Sequence, residues 1–334
     1  MDKQSVDKSN MYQVINNFPN QFKKALKFSK GVKAKGSKYS KAIILGMGGS
    51  ALPGDIINLV ISGEFKLDVV RTYDLPEGLE KENVLIILSS YSGNTEEPLE
   101  AAEKAKNLGL DIVGVAVGGK VVEWCEENNY PYVKYPNDGE YFQPRMANGY
   151  AFTSILQVLI NSGCVLPKDK EINNLIKFLE SYDVKNEAKK LAGEIKGVVP
   201  IIYCSDPYKN AVARIVKIKI NENSKTPCFY NYYPESNHNE INGYENSPIK
   251  FYFITFFDPK DHPRILKRME VTNKLYEEKG HKTTMIKMLG ENKLEKAYSA
   301  IVFGDWLSYY LALEYGIDPT PVDMVENMKR MLDN

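Results

Sequence analysis

The chain has few of the residues that staple, metallate or anchor a protein. Its four cysteines, Cys125, Cys164, Cys204 and Cys228, lie far apart and form no C-x-x-C pair, which argues against a disulfide framework or a zinc site. They read as reduced thiols of a cytoplasmic protein. Only three histidines occur, His238, His262 and His281, so no Cys/His cluster marks a metal site, and neither metal nor organic cofactor is expected. Neither charge is in excess: 43 basic residues balance 43 acidic ones, and the positive field that nucleic-acid binders carry is missing. No apolar run reaches the ~18 residues of a membrane span. The first residues, with Asp2, Lys3, Asp7 and Lys8, lack the apolar stretch of a signal peptide. A small-molecule ligand remains, with no nucleic acid and no membrane.

What the chain does have is length and apolar content. With 334 residues and 43% hydrophobic composition, two α/β domains of ordinary size are expected. Residues 1–40 read as an amphipathic helix, Met11 to Phe28, followed by a lysine-rich connector. From residue 41 to 165, short β-branched runs ("AIILG", "LDVVRTY", "NVLIILSS", "DIVGVAV", "YVKY") alternate with helical patterns, the signature of a parallel sheet covered on both faces. Residues 166–190 read as a charged linker helix. The layout restarts over 191–334: "VVPIIYCS" as a strand, a helix with Asp206 as N-cap and Pro207 at N1, further strands in "CFYNYY", "KFYFITFF" and "KTTMIKML", and a long helix ended by Gly316. The fold class is α/β, two doubly wound parallel sheets in tandem.

The first strand runs into Gly46-Met47-Gly48-Gly49-Ser50-Ala51, which fits the G-x-G-x-x-G/A spelling of a dinucleotide fingerprint. A strand that ends in glycines and opens a helix leaves backbone N–H groups free at the positive end of the helix dipole, so phosphate is the natural guest. A dinucleotide also needs an acid about 20 residues on for the ribose. Asp74 is the candidate, but it lies 28 residues past Gly46. The second strand-end stretch, "LSSYSGNTEEP", places Ser90, Ser92 and Thr95 before a helix with Glu96 and Glu97 in its first turn. Three hydroxyls suit the oxygens of a monophosphate ester, whereas helix capping alone would need one.

"GMGGS" followed by "SYSGNT" resembles the sugar isomerase (SIS) domain, a five-stranded parallel sheet whose serine/threonine loop holds a sugar phosphate. The resemblance implies two tandem SIS domains, phosphate binding in the first and the acid/base groups in the second.

The second half carries "INENSKTPCFYNYYPESNHNEINGYE". Glu222 stands at a helix C-terminus, facing the negative end of the dipole, a setting suited to a proton acceptor. His238 follows 16 residues later in a polar loop. Each alone reads as a surface residue. Together, "NENSK" and "PESNHNEINGYE" are similar to the matching segments of the bifunctional phosphoglucose/phosphomannose isomerases, and the likeness runs on to "YGIDPTPVDMVENMKRML". That resemblance implies that Gly49 and Ser50 contact substrate, that Ser90, Ser92 and Thr95 cradle the phosphate, and that Arg145 in "YFQPRMANGY" stabilises enediolate charge. It makes Glu222 the proton-transferring base, His238 the ring-opening residue and Lys329 an assistant at the ring oxygen or O1. It further implies a hexose 6-phosphate substrate and a homodimer with the active site at the interface, His238 acting in trans.

One departure concerns mannose 6-phosphate: the threonine that the family places near its C-terminus is replaced at the ungapped position by Val322, with Thr320 two residues earlier. That departure weakens the case for mannose 6-phosphate relative to glucose 6-phosphate; the expected reaction is isomerisation of glucose 6-phosphate, with mannose 6-phosphate as second substrate, to fructose 6-phosphate. The alternatives are an isomerase restricted to glucose 6-phosphate and a non-catalytic SIS-domain sensor. The sensor has no use for Glu222, His238 and Lys329 together.

Overall fold

The computed structural model describes residues 6–79, 82–138 and 142–332. Two compact units emerge, one from Asn16 to Glu180, the other from Ser181 onward together with the described residues up to Ile15.

The first unit holds β1 (Lys41–Leu45), β2 (Lys66–Val70), β3 (Val84–Ser89), β4 (Asp111–Ala116) and β5 (Tyr132–Lys134) in the order β2-β1-β3-β4-β5, all parallel. Every residue of β1 and of β3 is buried, which is why both read as unbroken apolar runs and not as alternating ones. The chain winds one way from β1 to β2 and the other way from β3 onward, so the topological switch point lies between β1 and β3. Doubly wound sheets bind ligands outside the strand carboxyl ends at that point. Helices α3 (Gly48–Ile61), α4 (Glu96–Asn107), α5 (Gly119–Glu127) and α6 (Asn148–Asn161) cover the faces.

The expected N-terminal helix is two helices, α1 (Met11–Asn16) and α2 (Pro19–Phe28). Pro19 occupies the first turn of α2, where it has no N–H to give to the preceding turn, and the break falls just before it. Phe22 of α2 is fully buried, with its ring 6.2 Å from Phe152 of α6.

Over residues 166–190 the structure has α7 (Asp169–Ser181) and the start of α8 (Lys185–Ile195). The second sheet comprises β6 (Val199–Ser205), β7 (Phe229–Tyr233), β8 (Phe251–Phe257) and β9 (Lys282–Lys287) in the order β7-β6-β8-β9, again all parallel. Among the described residues it has four strands where the resemblance implied five, and its switch point lies between β6 and β8. Asp206 is not an N-cap: Ser205 takes that position, and the chain winds through a 3-10 turn (Asp206–Tyr208) and a π turn (Lys209–Ala213) before α9 (Arg214–Ser224). Beyond these lie α10 (Pro263–Glu278), α11 (Lys293–Tyr315) and α12 (Asp323–Leu332), α11 being stopped by left-handed Gly316 as expected. The four cysteines are free thiols, and burial pushes that of Cys125 up to about 12.

Candidate active site

At the first switch point the loops after β1 and β3 are tied together by hydrogen bonds. The Ser89 hydroxyl donates to the Ser50 carbonyl at 2.9 Å, and the Tyr91 N–H donates to the Ser50 hydroxyl at 2.8 Å. Ser50 is thus held in the first turn of α3, its Oγ pointing at the second loop. The Ser90 and Thr95 hydroxyls lie 2.9 Å apart. Thr95 occupies the N-cap position of α4 but makes no side-chain capping bond, so its hydroxyl serves the loop and not the helix. Ser92 is exposed and its Oγ accepts from the Asn94 N–H at 3.2 Å. Gly93 adopts φ +78°, and a Cβ there would meet the Gly118 carbonyl oxygen at 1.8 Å; only glycine permits this turn. The structure therefore gathers Ser50, Ser90 and Thr95 beside two helix N-termini, with Ser92 on the outer rim.

Arg145 joins them through the backbone. A Cβ on Gly49 would lie 2.6 Å from the Arg145 nitrogen, so the glycine lets the arginine's loop settle on the start of α3. Arg145 is 1% exposed. A residue missed in the sequence braces it: buried Gln21 of α2 donates to the Met146 carbonyl at 2.8 Å and accepts from the Gly149 N–H at 3.1 Å. No local pattern marks Gln21, whose partners lie 125 and 128 positions away. Asp74 pairs with Lys104 at 2.6 Å on the surface and is 82% exposed, a poor station for a ribose.

Glu222 sits half-buried in the last turn of α9, which ends at Lys225 in the left-handed region. Two buried polar contacts fix that helix against α11: Lys219 Nζ to Asp305 Oδ1 at 2.5 Å, and Asn223 Nδ2 to Ser308 Oγ at 2.9 Å. His238 is exposed and ends a short 3-10 turn, Glu235–His238, that follows β7. Because β7 is parallel to β6, α9 descends to the amino end of β7, whereas His238 lies past its carboxyl end. Five strand residues, about 15 Å, separate those edges. Glu222 therefore lies toward the amino end of β7 and His238 past its carboxyl end. Lys329 is exposed on α12, paired with Glu326 at 2.9 Å.

The second switch point is built differently. Asp258, at the end of β8, is 6% exposed and accepts from Tyr208 Oη at 2.6 Å, the Lys260 N–H at 2.8 Å and Lys296 Nζ at 2.5 Å. Burial alone would raise its pKa, but the Lys296 ammonium, the Tyr208 hydroxyl and the Lys260 amide together hold it below the usual carboxylate range. The cleft beside it is lined by Lys260, Asp261, His262 and Lys293 among others. No group of three or more His, Cys, Asp or Glu that could hold a metal occurs among the described residues. Nor is any helix among them long and apolar enough to cross a membrane.

The tandem parallel sheets and the serine/threonine strand-end loop define a SIS-domain protein of the sugar-phosphate class. The profile of the bacterial phospho-glucose isomerase C-terminal SIS domain matches residues 184–332. A bifunctional phosphoglucose/phosphomannose isomerase of Caldicellulosiruptor bescii is 35% identical over 339 residues, covering 96% of this chain and 98% of the relative. The enzyme of the same name from Aquifex aeolicus is 33% identical over 327 residues, with the same coverage. The chain belongs to the bifunctional phosphoglucose/phosphomannose isomerase family. Among solved structures, a hypothetical protein of Thermus thermophilus superposes with a TM-score of 0.74 at 12% identity, covering 97% of this chain and 90% of that one; this likeness is one of fold.

Proposed function

We propose that the protein interconverts glucose 6-phosphate and mannose 6-phosphate with fructose 6-phosphate. The observation that carries this reading is the joined pair of strand-end loops at the first switch point, where Ser50, Ser90 and Thr95 gather at helix N-termini as a monophosphate requires. Family membership supports the substrate class.

In the proposed mechanism the phosphate anchors the sugar, and His238 moves a proton between O5 and O1 as the ring opens. Glu222 then takes the proton from C2 of the open-chain aldose while the C1 carbonyl accepts the electron pair and a proton, giving an enediol. The same carboxylate returns the proton to C1 as O2 loses its own and becomes the ketose carbonyl. Arg145 meets the negative charge that develops on the oxygens, and Lys329 assists at O1 or the ring oxygen. Gly49 keeps the Arg145 loop close, and Ser92 adds a donor at the rim of the phosphate site.

The placement of Glu222 toward the amino end of β7 and of His238 past its carboxyl end supports a homodimer in which each active site draws its histidine from the partner subunit. The reading includes a cytoplasmic enzyme of glycolysis and gluconeogenesis. A mixing experiment tests the sharing. Glu222→Gln and His238→Ala should each lose at least ~100-fold in kcat while still binding 5-phosphoarabinonate. After the two are unfolded and refolded together, random C2 pairing leaves one intact site in half the dimers, so about a quarter of wild-type activity should return. If the mixture stays as inactive as its parents, the histidine is not shared. If Glu222→Gln alone turns over normally, the base is misassigned.

A further inference from the structure

His238 stands on a long connection between β7 and β8, which side chains on either side of the imidazole fasten in place. Two positions beyond it, Glu240 is half-buried, and its carboxylate takes three side-chain donors. Oε1 accepts from Tyr203 Oη at 2.5 Å and from Tyr244 Oη at 2.8 Å, and Oε2 accepts from Asn231 Nδ2. Tyr203 lies on β6 and Asn231 on β7, so one side chain fastens the His238 loop to two strands at once. Tyr203 is fully buried, its ring stacked 5.8 Å from Phe253 and its hydroxyl 3.3 Å from that of Tyr276. On the other side of the histidine, Asn237 Nδ2 donates to Thr272 Oγ1 of α10 at 2.8 Å.

With three side-chain donors on one carboxylate, Glu240 is the most heavily bonded of these anchors. Burial above all pushes the hydroxyls of Tyr203 and Tyr244 well up. Both remain donors across any working pH.

We infer that Glu240 is a positioning residue that fixes the His238 loop for ring opening. The inference rests on the role proposed for His238. A ring that opens and recloses interchanges its α and β anomers without any transfer between C1 and C2, so catalysed anomer exchange of glucose 6-phosphate, read by two-dimensional NMR, reports ring opening alone. E240Q should lower kcat about 10-fold with KM within about twofold, since a small misplacement of a proton-transfer group costs that much or more. It should lower anomer exchange by the same factor. Y244F, which removes one donor and leaves the carboxylate, should show a smaller loss in both and covers the case in which E240Q does not fold. E222Q should lose isomerisation yet keep anomer exchange.

If E240Q and Y244F keep wild-type exchange while H238A loses it, the anchor has no catalytic consequence and the inference fails. It fails also if either variant loses isomerisation but not exchange. If H238A itself retains exchange, the ring-opening role of His238 falls, and the inference with it.

Discussion

The two sheets offer the same topological opportunity and use it in opposite ways. At the first switch point the loops after β1 and β3 are short, glycine-rich and lined with hydroxyls. At the second the protein supplies its own anion. Asp258 takes the hydroxyl of Tyr208, the amide of Lys260 and the ammonium of Lys296, a donor set that would otherwise suit a phosphate oxygen. Tandem folds of one kind need not make tandem sites: side chains at the strand ends decide, and an internal carboxylate closes what a glycine turn leaves open.

That contrast can be broken from either side. Removing the internal anion should have the largest effect on stability. Asp258→Ala strands the buried Lys296 ammonium, 4% exposed, and should cost about 3–5 kcal/mol in denaturant unfolding. KM for hexose phosphates should stay unchanged. A rise in KM would mean that the second switch point contributes to substrate binding. The converse change, Ser90→Ala with Thr95→Ala, removes two of the hydroxyls proposed to hold the ester and should raise KM by at least about 100-fold, two such bonds to a charged group contributing about 3–6 kcal/mol together, while the lost Ser90–Thr95 hydrogen bond should cost only about 1 kcal/mol of stability. An unchanged KM would refute the cradle.

The smallest effect concerns His281 in the second unit. It is 5% exposed, its Nδ1 accepts from the Phe251 N–H at 3.2 Å, and burial lowers its pKa below the usual 6.5. The unfolded chain then holds more protons than the folded one just below that value, so stability should fall as pH drops below about 6.5 and level off beneath the folded pKa. His281→Asn should flatten this part of the profile while leaving KM for hexose phosphates alone. A slope unaltered by the substitution would assign the pH dependence to other groups.

Much of the architecture was legible because parallel strands buried on both faces leave contiguous apolar runs, as in "VLIILS" and "FYFITFF". The meeting of the Ser90 and Thr95 hydroxyls was legible because they are crowded into six residues, whereas the tie of Ser50 to that loop spans about forty positions. Features made by distant partners were not. The Asp258–Lys296 pair spans 38 positions, and Gln21 reaches across more than a hundred. The break between α1 and α2 had a visible cause in Pro19, yet the periodicity of the flanking apolar residues runs on across it. The mixed winding from Asp206 to Ala213 follows from no local signal that we can identify. Glu240 escaped notice because an acid in a polar loop looks solvated until Tyr203, thirty-seven positions earlier, is folded against it.

The most direct test is a crystal structure with fructose 6-phosphate or 5-phosphoarabinonate bound. The ester should lie against the hydroxyls of Ser50, Ser90 and Thr95 at the carboxyl ends of β1 and β3, with the second switch point closed by Asp258. An ester seated instead beside Lys296 and Lys260, with the first cradle empty, would contradict the account.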